Sequence, residues 1–403
     1  MDGHGVSEDG NYDVEARFQK DKVTDLNMSN NEERRQKIVL VLVNPCSGRG
    51  KSVAVFKKKL MPVLESLNID HHVFTTDSDS RVHDYLCKKS LTEITKLNSI
   101  IVVSGDGLLH ETINALLSRA DWEQAISVPI AIIPTGSGNG LAYSLVRQTH
   151  PNIFDKNEVI DICCKQAIQD QVTMTDLVKI TYGEGKVVWS FLSFGWGLLA
   201  DIDIDSEWLR LVGEFRFTIY GLLRSITAVS YRGRLSYKNM ANETDSIGSE
   251  IQSQHTNETL TNCDQLPEIG NGVLSKGLKN CDNNDDWIHI EDKFSCLYAV
   301  YQSHVSSVTK FSPKSTPADQ LIYLTYIRGN MSPRKVIEFL LATQDGSHGR
   351  LPYVTVVPVQ TFVFEPLEPS KVVVDGEVIP WSISDGPMTA KVVHNVVKIL
   401  WKS

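Results

Sequence analysis

One arrangement recurs three times before residue 150: a continuously apolar run, a loop rich in glycine and small polar residues, and a segment with helical periodicity. The apolar runs begin at Lys37 (KIVLVLVN), Ser99 (SIIVVS) and Val128 (VPIAIIP). Short runs of this kind are typical of strands buried on both faces, as in parallel sheets covered by crossover helices. The alternation predicts a mostly parallel α/β sheet, with ligands at the carboxyl ends of its strands, where the three loops lie.

The pattern changes after about residue 170. Runs typical of antiparallel strands follow: TMTDLVKITY and KVVWSFLSFGWG joined by a glycine hairpin, then YRGRLSYK, FSCLYAVYQSHV, QLIYLTYIR, YVTVVPVQTFVFEP and KVVVDGEVIPW. A helix is predicted over 206–229, and another begins after Ser332, which is suited to an N-cap because Pro333 follows it. This half is predicted to be a β-sandwich or barrel.

The fold class is therefore predicted to be α/β + β. We expect an α/β domain with a mostly parallel sheet at 37–170 and an antiparallel β-sandwich domain at 171–403. The tail 1–36 and an insertion at 239–286 are polar and poor in aromatic residues, which predicts disorder. The last run, MTAKVVHNVVKIL at 388–400, fits either domain.

Composition narrows the class of protein. The formal net charge is −9, which argues against a nucleic-acid partner, because phosphate backbones demand a basic face. The 7 cysteines show neither CxxC pairs nor zinc-site spacing and are typical of reduced intracellular thiols. The sequence shows no secretory signal and no uncharged apolar run of about 18 residues. These features predict a cytoplasmic protein.

The first and third loops are suited to phosphate. NPCSGRGKS, beginning at Asn44, resembles a Walker A loop, but Pro45 stands where that motif has glycine. Its glycines with Arg49 and Lys51 could hold phosphate oxygens, or the loop could be a plain turn with solvated charges. PTGSGNG offers hydroxyl and backbone donors ahead of a helix, and the alternative is a glycine-rich loop capped by Asn139.

The middle loop, SGDG, carries a carboxylate in its centre. Asp106 would repel a phosphate, but it could accept a proton from a hydroxyl that attacks a phosphate, or hold Mg²⁺ against phosphate oxygens. The alternative is a turn residue, because Asp-Gly supports turns readily. From the pattern we expect a tight turn at 105–107 and a helix from Leu108.

Two acidic features mark the second half. Asp201, Asp203 and Asp205 alternate with isoleucines, so an extended chain would place the three carboxylates on one face. Such a row is suited to a ligand with a cationic head and an apolar tail, or it is a solvated edge. Near the end, Asp375-Gly376 is typical of a two-residue hairpin turn.

Seven segments, in this order, resemble the sphingosine kinases within the diacylglycerol-kinase superfamily of lipid kinases: LVNPCSGRGKS, SGDGLLHE, PTGSGNGLA, GWGLLADIDIDSE, GEFRFT, YRGRLSY and VVDGE. The likeness covers about 37–380 except the insertion. It implies an N-terminal nucleotide-binding domain, a C-terminal β domain with a lipid pocket, and ATP in the cleft between them.

The resemblance also implies roles for individual residues. Asp106 matches the catalytic base that takes the proton from the lipid's primary hydroxyl. Asp203 matches the carboxylate that recognises the sphingoid amino alcohol. The substrate-binding positions are Ser104, Gly105, Asp106, Gly107, Ser193 and Asp203. The nucleotide-binding positions are Asn44, Pro45, Cys46, Gly48, Gly50, Thr76, Asp77, Ser78, Asp79, Ser80, Glu111, Gly136, Ser137, Gly138, Arg210, Arg216, Asp375, Gly376 and Glu377.

The implied activity is phosphorylation of sphingosine and related sphingoid bases by ATP with Mg²⁺, giving sphingosine 1-phosphate and ADP. Expected partners are a sphingoid-base lipid, ATP, a transient membrane surface to which a cytoplasmic protein is recruited, and a second copy in a homodimer. The amphipathic segment 217–237 fits a pocket lining, a membrane contact or a calmodulin-like regulator. The alternatives are a ceramide or diacylglycerol kinase, a nucleotide-binding regulatory protein without turnover, and an NAD kinase, which shares the scheme of the first domain.

Overall fold

The computed structural model describes residues 36–77, 81–205, 230–238 and 287–402. The predicted tail up to residue 35, the insertion 239–286 and the predicted helix 206–229 lie outside the described residues. The described residues from Ile38 onward belong to one compact unit. The division into domains near residue 170 stays a prediction.

The N-terminal half alternates strands and helices, as the sequence predicts. Its elements are β1 (Ile38–Val43), α1 (Lys51–Val55), a π-helical turn (Phe56–Leu60), α2 (Met61–Ser66), β2 (Asp70–Thr75), α3 (Val82–Lys88), α4 (Leu91–Thr95), β3 (Ser99–Ser104), α5 (Asp106–Leu117), α6 (Trp122–Ala125), β4 (Ile130–Pro134), α7 (Gly140–Thr149) and α8 (Lys156–Gln166).

The four strands of this half form a parallel sheet in the order β4-β3-β1-β2. All six residues of β3 are buried, whereas β2, at the end of the order, is partly exposed along its length. The apolar runs therefore become the interior strands because both of their faces are covered. The predicted parallel sheet is confirmed, and the loops after β1, β3 and β4 share its carboxyl edge.

The C-terminal half is dominated by antiparallel strands. Its elements are β5 (Val172–Tyr182), β6 (Lys186–Ser190), β7 (Ser193–Gly197), α9 (Leu198–Asp205), β8 (Tyr231–Lys238), β9 (Trp287–Val300), β10 (Ile322–Arg328), α10 (Pro333–Ala342), β11 (Thr355–Val359), β12 (Thr361–Pro366), β13 (Val372–Val374), β14 (Glu377–Val378) and β15 (Met388–Leu400). The predicted helix cap is confirmed, because the Ser332 side chain accepts a hydrogen bond from the Lys335 amide.

The antiparallel strands follow the order β13-β7-β9-β8-β12-β15, with β10 beside β9 and β5 beside β15. Their buried side chains form one apolar cluster that includes Trp196, Phe294, Phe362 and Phe364. Two local predictions are corrected. The run KVVWSFLSFGWG forms two strands, because β6 and β7 pair with different neighbours. The segment Leu198–Asp205 is helical rather than extended.

The last strand connects the two halves. β15 pairs antiparallel with β12 and β5, and its residue Ile399 pairs parallel with Ile130 of β4. Val397, Ile399 and Trp401 are buried in the apolar core of the N-terminal half. The C-terminal run, which the sequence left open, therefore joins the antiparallel and parallel parts of one continuous sheet.

Candidate active site

At the carboxyl edge of the parallel sheet, the third glycine-rich loop touches both the first and the second. A Cβ atom on Gly48 would lie 2.0 Å from the carbonyl oxygen of Thr135, and one on Gly136 would lie 2.4 Å from the Cα of Gly105. A side chain at either glycine would force the loops apart. Because glycine has no side chain, the backbones of neighbouring loops can approach this closely.

The carboxylate of Asp106 lies where the second and third loops meet. Helix α5 begins at Asp106 rather than at Leu108, so the predicted turn is in fact the first turn of the helix. The Oδ2 atom accepts a hydrogen bond of 3.1 Å from the amide of Gly140, the first residue of α7. The side chain is thus close to the N-termini of two helices, α5 and α7, where backbone N–H groups have no partner within the helix. It is half-buried, so a reactant can reach it.

The first loop is ordered around the backbone of Asn44. The Asn44 carboxamide accepts a hydrogen bond of 2.9 Å from the Cys46 amide, and the buried hydroxyl of Ser52 donates to the Asn44 carbonyl. Gly50 has a φ of 81° at the start of α1, a conformation that favours glycine. Asn44, Pro45 and Gly48 are half-buried, and Cys46 is exposed.

The third loop is held by one side chain. Asn139, with a φ of 61°, accepts a hydrogen bond of 3.0 Å from the Gly136 amide and donates one of 2.8 Å to the Gly136 carbonyl. A Cβ on Gly138 would lie 2.8 Å from the carboxylate of Asp106. Asn139 stands at the N-cap position of α7, but its side chain makes no capping hydrogen bond to the helix and instead closes the loop on Gly136. The predicted phosphate contacts of this loop stay a prediction.

The other predicted nucleotide residues of this half lie beside the same edge. The Thr76 amide donates 2.9 Å to the Val43 carbonyl at the end of β1, and Asp77 is exposed. Glu111 on α5 accepts 3.1 Å from the His83 amide and pairs with Arg81 at 3.7 Å. Ser78, Asp79 and Ser80 lie outside the described residues.

Asp375 is bound entirely by protein groups. Its side chain is 0% exposed. Its oxygens accept hydrogen bonds from the Ser190 hydroxyl (2.6 Å), the amides of Phe191, Leu192 and Ser193 (3.1, 2.9 and 2.9 Å) and Nδ1 of His110 (2.9 Å). Asp375 and Gly376 have φ values of 53° and 85°, which confirms the predicted two-residue hairpin turn. Five protein donors thus occupy the oxygens of this carboxylate, and its predicted nucleotide contact stays a prediction.

Glu377 reaches the start of α5 from the same turn. A Cβ on Gly107 would lie 2.5 Å from its Oε1 atom. Glu377 and Gly376 are exposed, so this part of the turn can contact a ligand. The turn therefore brings one predicted nucleotide residue, Glu377, next to the helix that carries Asp106.

The predicted lipid-binding residues lie further along the second half. Ser104 and Ser193 are 3% and 4% exposed, and the Tyr298 hydroxyl donates 3.2 Å to the Ser193 hydroxyl. Asp201 accepts 2.9 Å from the Tyr231 hydroxyl. Because α9 is a helix, Asp201 and Asp203 do not share a face, which corrects the predicted acidic row. The side chains of Asp203 and Asp205 lie outside the described residues, as do Arg210 and Arg216.

An apolar cluster adjoins this helix. Leu198 and Ile202 of α9 pack with Cys296, Phe311 and Phe339, and Val305 contacts the cluster from the loop that also meets Asn139. Among the described residues, no group of three or more His, Cys, Asp or Glu side chains could hold a metal ion by itself. No described helix is long and apolar enough to span a membrane.

Sequence reasoning missed three residues that shape the site. His110 binds Asp375, Gly140 holds Asp106, and the side chain of Leu192 packs against Gly140. The sequence signals for these residues were the spacing of four residues between Asp106 and His110 and, for Gly140, its place as the last glycine of PTGSGNG. Neither identifies partners that are distant in sequence.

Several known proteins resemble this chain in sequence. Residues 38–180 match the family model described as the diacylglycerol kinase catalytic domain. The chain is 31% identical to sphingosine kinase 1 of Caenorhabditis elegans over 380 residues, covering 85% of this chain and 77% of that protein. It is 30% identical to sphingosine kinase 1 of Rattus norvegicus over 353 residues, covering 85% and 86%.

A similar fold occurs in a solved structure. The crystal structure of a diacylglycerol kinase from Bacillus anthracis str. Sterne aligns with a TM-score of 0.54 at 14% identity, covering 92% of this chain and 98% of that one. At this identity the likeness concerns the fold alone. It extends across both the parallel and the antiparallel halves.

Proposed function

Because this chain belongs to the sphingosine kinase family, we propose that it transfers the γ-phosphoryl group of ATP to the primary hydroxyl of sphingosine and related sphingoid bases. Family membership makes the chain a lipid kinase, and the products of the proposed reaction are sphingosine 1-phosphate and ADP. The observation that carries the proposal is the position of the Asp106 carboxylate at the contact of two glycine-rich loops.

In the proposed step, Asp106 accepts the proton of the lipid hydroxyl as its oxygen attacks the γ-phosphorus. The new O–P bond forms while the bond from the γ-phosphorus to the bridging oxygen of ADP breaks. Phosphoryl transfer depends on alignment and charge neutralisation more than on covalent catalysis. The amide of Gly140 holds the carboxylate in place, so little reorganisation is needed when the proton moves.

ATP is proposed to bind along the carboxyl edge of the parallel sheet as its Mg²⁺ complex. The loops that begin at Asn44 and Gly136 would face its phosphates, with Glu111 and Glu377 at the margin. Mg²⁺ is usually held by one or two carboxylates together with substrate phosphates. Such a site fits a region where Asp106 and Glu377 both approach the start of α5.

The sphingoid base is proposed to lie between Ser193 and the helix that carries Asp203. A protonated amine entering an apolar environment needs a paired carboxylate, since its desolvation would otherwise oppose binding. Ceramide and diacylglycerol have no such cation. The apolar cluster beside α9 supports a place for the lipid chain. Membrane recruitment of a cytoplasmic enzyme, a calmodulin-like regulator and a homodimer remain predictions.

The test is a product assay with purified protein, labelled ATP and Mg²⁺ on sphingosine, dihydrosphingosine, ceramide and diacylglycerol. We expect label only in the two sphingoid bases. Label in ceramide or diacylglycerol would refute the role of Asp203 but keep that of Asp106. No label in any lipid, with ATP still bound, would favour the regulatory alternative.

The matched variant is Asp106→Asn, whose carboxamide oxygen can still accept from Gly140. We expect turnover to fall about 10³-fold because the proton acceptor is lost, with ATP affinity within about threefold of the parent enzyme. Asp84→Asn, which changes an exposed carboxylate on α3, is the control and should retain activity. Near-normal turnover by Asp106→Asn would exclude Asp106 as the base.

A further inference from the structure

A closed ring of contacts links the Asp106 carboxylate to the buried carboxylate of Asp375. Asp106 accepts from the Gly140 amide at 3.1 Å, and Gly140 packs against Leu192, whose Cδ1 would lie 2.5 Å from a Cβ at Gly140. The Leu192 amide donates to Asp375 at 2.9 Å, and Asp375 accepts from His110 at 2.9 Å. His110 returns to Asp106 along one turn of α5. These five residues are called the contact ring below.

The ring joins elements that the proposed reaction must keep in register. Asp106 and His110 are four residues apart on α5, so their side chains lie on the same face of the helix. Of the five donors to Asp375, four come from the segment Ser190–Ser193, which ends in a proposed lipid-binding residue. The fifth, His110, is the donor that comes from the helix carrying the proposed base.

We propose that His110 is a positioning residue for phosphoryl transfer: its bond to Asp375 fixes the start of α5, and with it the Asp106 carboxylate, against the segment that receives the lipid. This inference rests on the proposed function. Its geometric content is that a turn between antiparallel strands sets the position of a proton acceptor at the carboxyl edge of the parallel strands. Misplacement of a reacting group by about 1 Å can cost roughly 100-fold in rate.

The environment of His110 favours a strong bond at this position. Its side chain is 13% exposed, and that of Asp375 is 0% exposed. Burial by itself lowers the pKa of His110, but the hydrogen bond and charge of Asp375, together with the charges of Glu377 and Glu111, raise it above its ordinary value. Hydrogen bonds between charged groups are shorter and stronger than those between neutral ones.

A second bridge between the same elements provides a control. The Asn114 carboxamide, one turn further along α5, donates 2.9 Å to the Trp189 carbonyl and accepts 2.9 Å from the Trp189 amide. This bridge also ties α5 to β6. The same Asn114 carboxamide nitrogen donates 2.9 Å to the His110 carbonyl and lies 3.4 Å from Nε2 of His110, so its loss leaves the Nδ1 bond to Asp375 in place but removes a contact to the back of the imidazole ring. A merely structural role for His110 predicts that loss of either bridge has the same effect.

The experiment compares three variants of the full chain with the wild type and Asp106→Asn. His110→Leu fills the volume without a donor, whereas His110→Asn keeps an amide nitrogen near the position of Nδ1. Asn114→Ala removes the control bridge. Turnover with sphingosine and ATP, both Michaelis constants and thermal stability are measured for each variant. Hydrogen exchange of the amides of 106–113 is followed in parallel.

We expect His110→Leu to lower kcat about 100-fold while both KM values stay within about threefold. His110→Asn should recover kcat to within about tenfold of the wild type. Asn114→Ala should lose thermal stability but keep its kcat. Wild-type kcat in His110→Leu, or a kcat in His110→Asn as low as in His110→Leu, would overturn the inference.

The exchange measurement keeps the inference testable apart from the proposed reaction. If the wild type phosphorylates no lipid on the panel, the proposed function fails by itself. Exchange at 106–113 that is at least tenfold faster in His110→Leu, and restored in His110→Asn, would still support the positioning role. Unchanged exchange in His110→Leu would overturn it.

Discussion

At the scale of single residues, this site depends on the missing side chains of its glycines as much as on the side chains that are present. The second and third loops approach through Gly105 and Gly136, and the first loop reaches the third through Gly48. The residue types were readable from the sequence, because glycine-rich loops after buried strands indicate close backbone approach. Which glycine faces which loop was not readable, because that depends on the register of the sheet.

The contact between Gly136 and Gly105 leads to a prediction. In Gly136→Ala the new Cβ would lie 2.4 Å from the Gly105 Cα, a backbone atom that cannot rotate away. We expect the loops to separate, kcat/KM for sphingosine to fall about 100-fold, and the free energy of unfolding to fall by about 1–3 kcal/mol. Steady-state kinetics and urea unfolding measure both quantities.

The control for that substitution is Gly349→Ala. The nearest atom to a Cβ there is a Val356 methyl at 3.4 Å, which is ordinary van der Waals contact, and the site is remote in sequence from the three loops. Both quantities should stay near wild-type values. Equal losses in the two variants would mean that the tight contact has no special role.

At the scale of elements, strands and hairpins could be predicted well, and the error at residues 198–205 is informative. The alternation in DIDID imitates a strand, yet the chain forms α9 there. Leu198 and Ile202 are one helical turn apart, and both are buried in the apolar cluster with Phe311. Packing against residues more than 90 positions away favoured the helical period over the strand period. A local sequence pattern contains no information about such distant partners.

The C-terminal strand β15 could not be assigned from the sequence, because it pairs with strands of both halves of the chain. Trp401, the residue directly after the strand, lies in the apolar core of the N-terminal half and is 3% exposed. Its Nε1 atom finds no acceptor among the described residues. The indole thus contributes to stability through packing rather than through a hydrogen bond.

We therefore expect Trp401→Ala to lower the free energy of unfolding by about 3–5 kcal/mol, since it leaves a large cavity. Trp401→Phe should cost less than about 1.5 kcal/mol, because it keeps most of the ring volume and removes the unpaired donor. Urea unfolding of both variants measures the difference. Similar losses in the two would indicate that the indole nitrogen is bound after all.

At the scale of the whole molecule, the sequence predicted the order of the two halves but not how they are joined. His110 and Asp375 are 265 positions apart, and the strand that joins the two halves of the sheet is β15, near the C-terminus. Both links depend on tertiary geometry that no local pattern encodes. The residues proposed to act on the substrate were found because they lie in loops with distinctive composition, whereas the residues that align those loops were not.

Buried histidines give the molecule a pH-dependent stability. His304 and His348 are 7% and 3% exposed. Burial lowers the pKa of each to about 4, assisted at His304 by the charges of Lys310 and Arg147. In the unfolded chain a histidine titrates near 6.5, so between about pH 6.5 and pH 4 the unfolded state binds more protons than the folded state. Stability must therefore fall as the pH is lowered through this window.

We expect the free energy of unfolding to drop by a few kcal/mol between pH 7 and pH 5, at roughly 1.4 kcal/mol per pH unit for each histidine. His110 acts in the opposite sense: its pKa is raised, so its contribution is complete below about pH 6.5 and is lost as the pH rises through its folded value. Urea unfolding at several pH values measures the dependence. His348→Phe, whose ring would lie against Phe311 and Phe339, should reduce the slope on the acid side by about half. An unchanged slope in that variant would show that His348 is already protonated in the folded chain, and that other groups cause the loss of stability in acid.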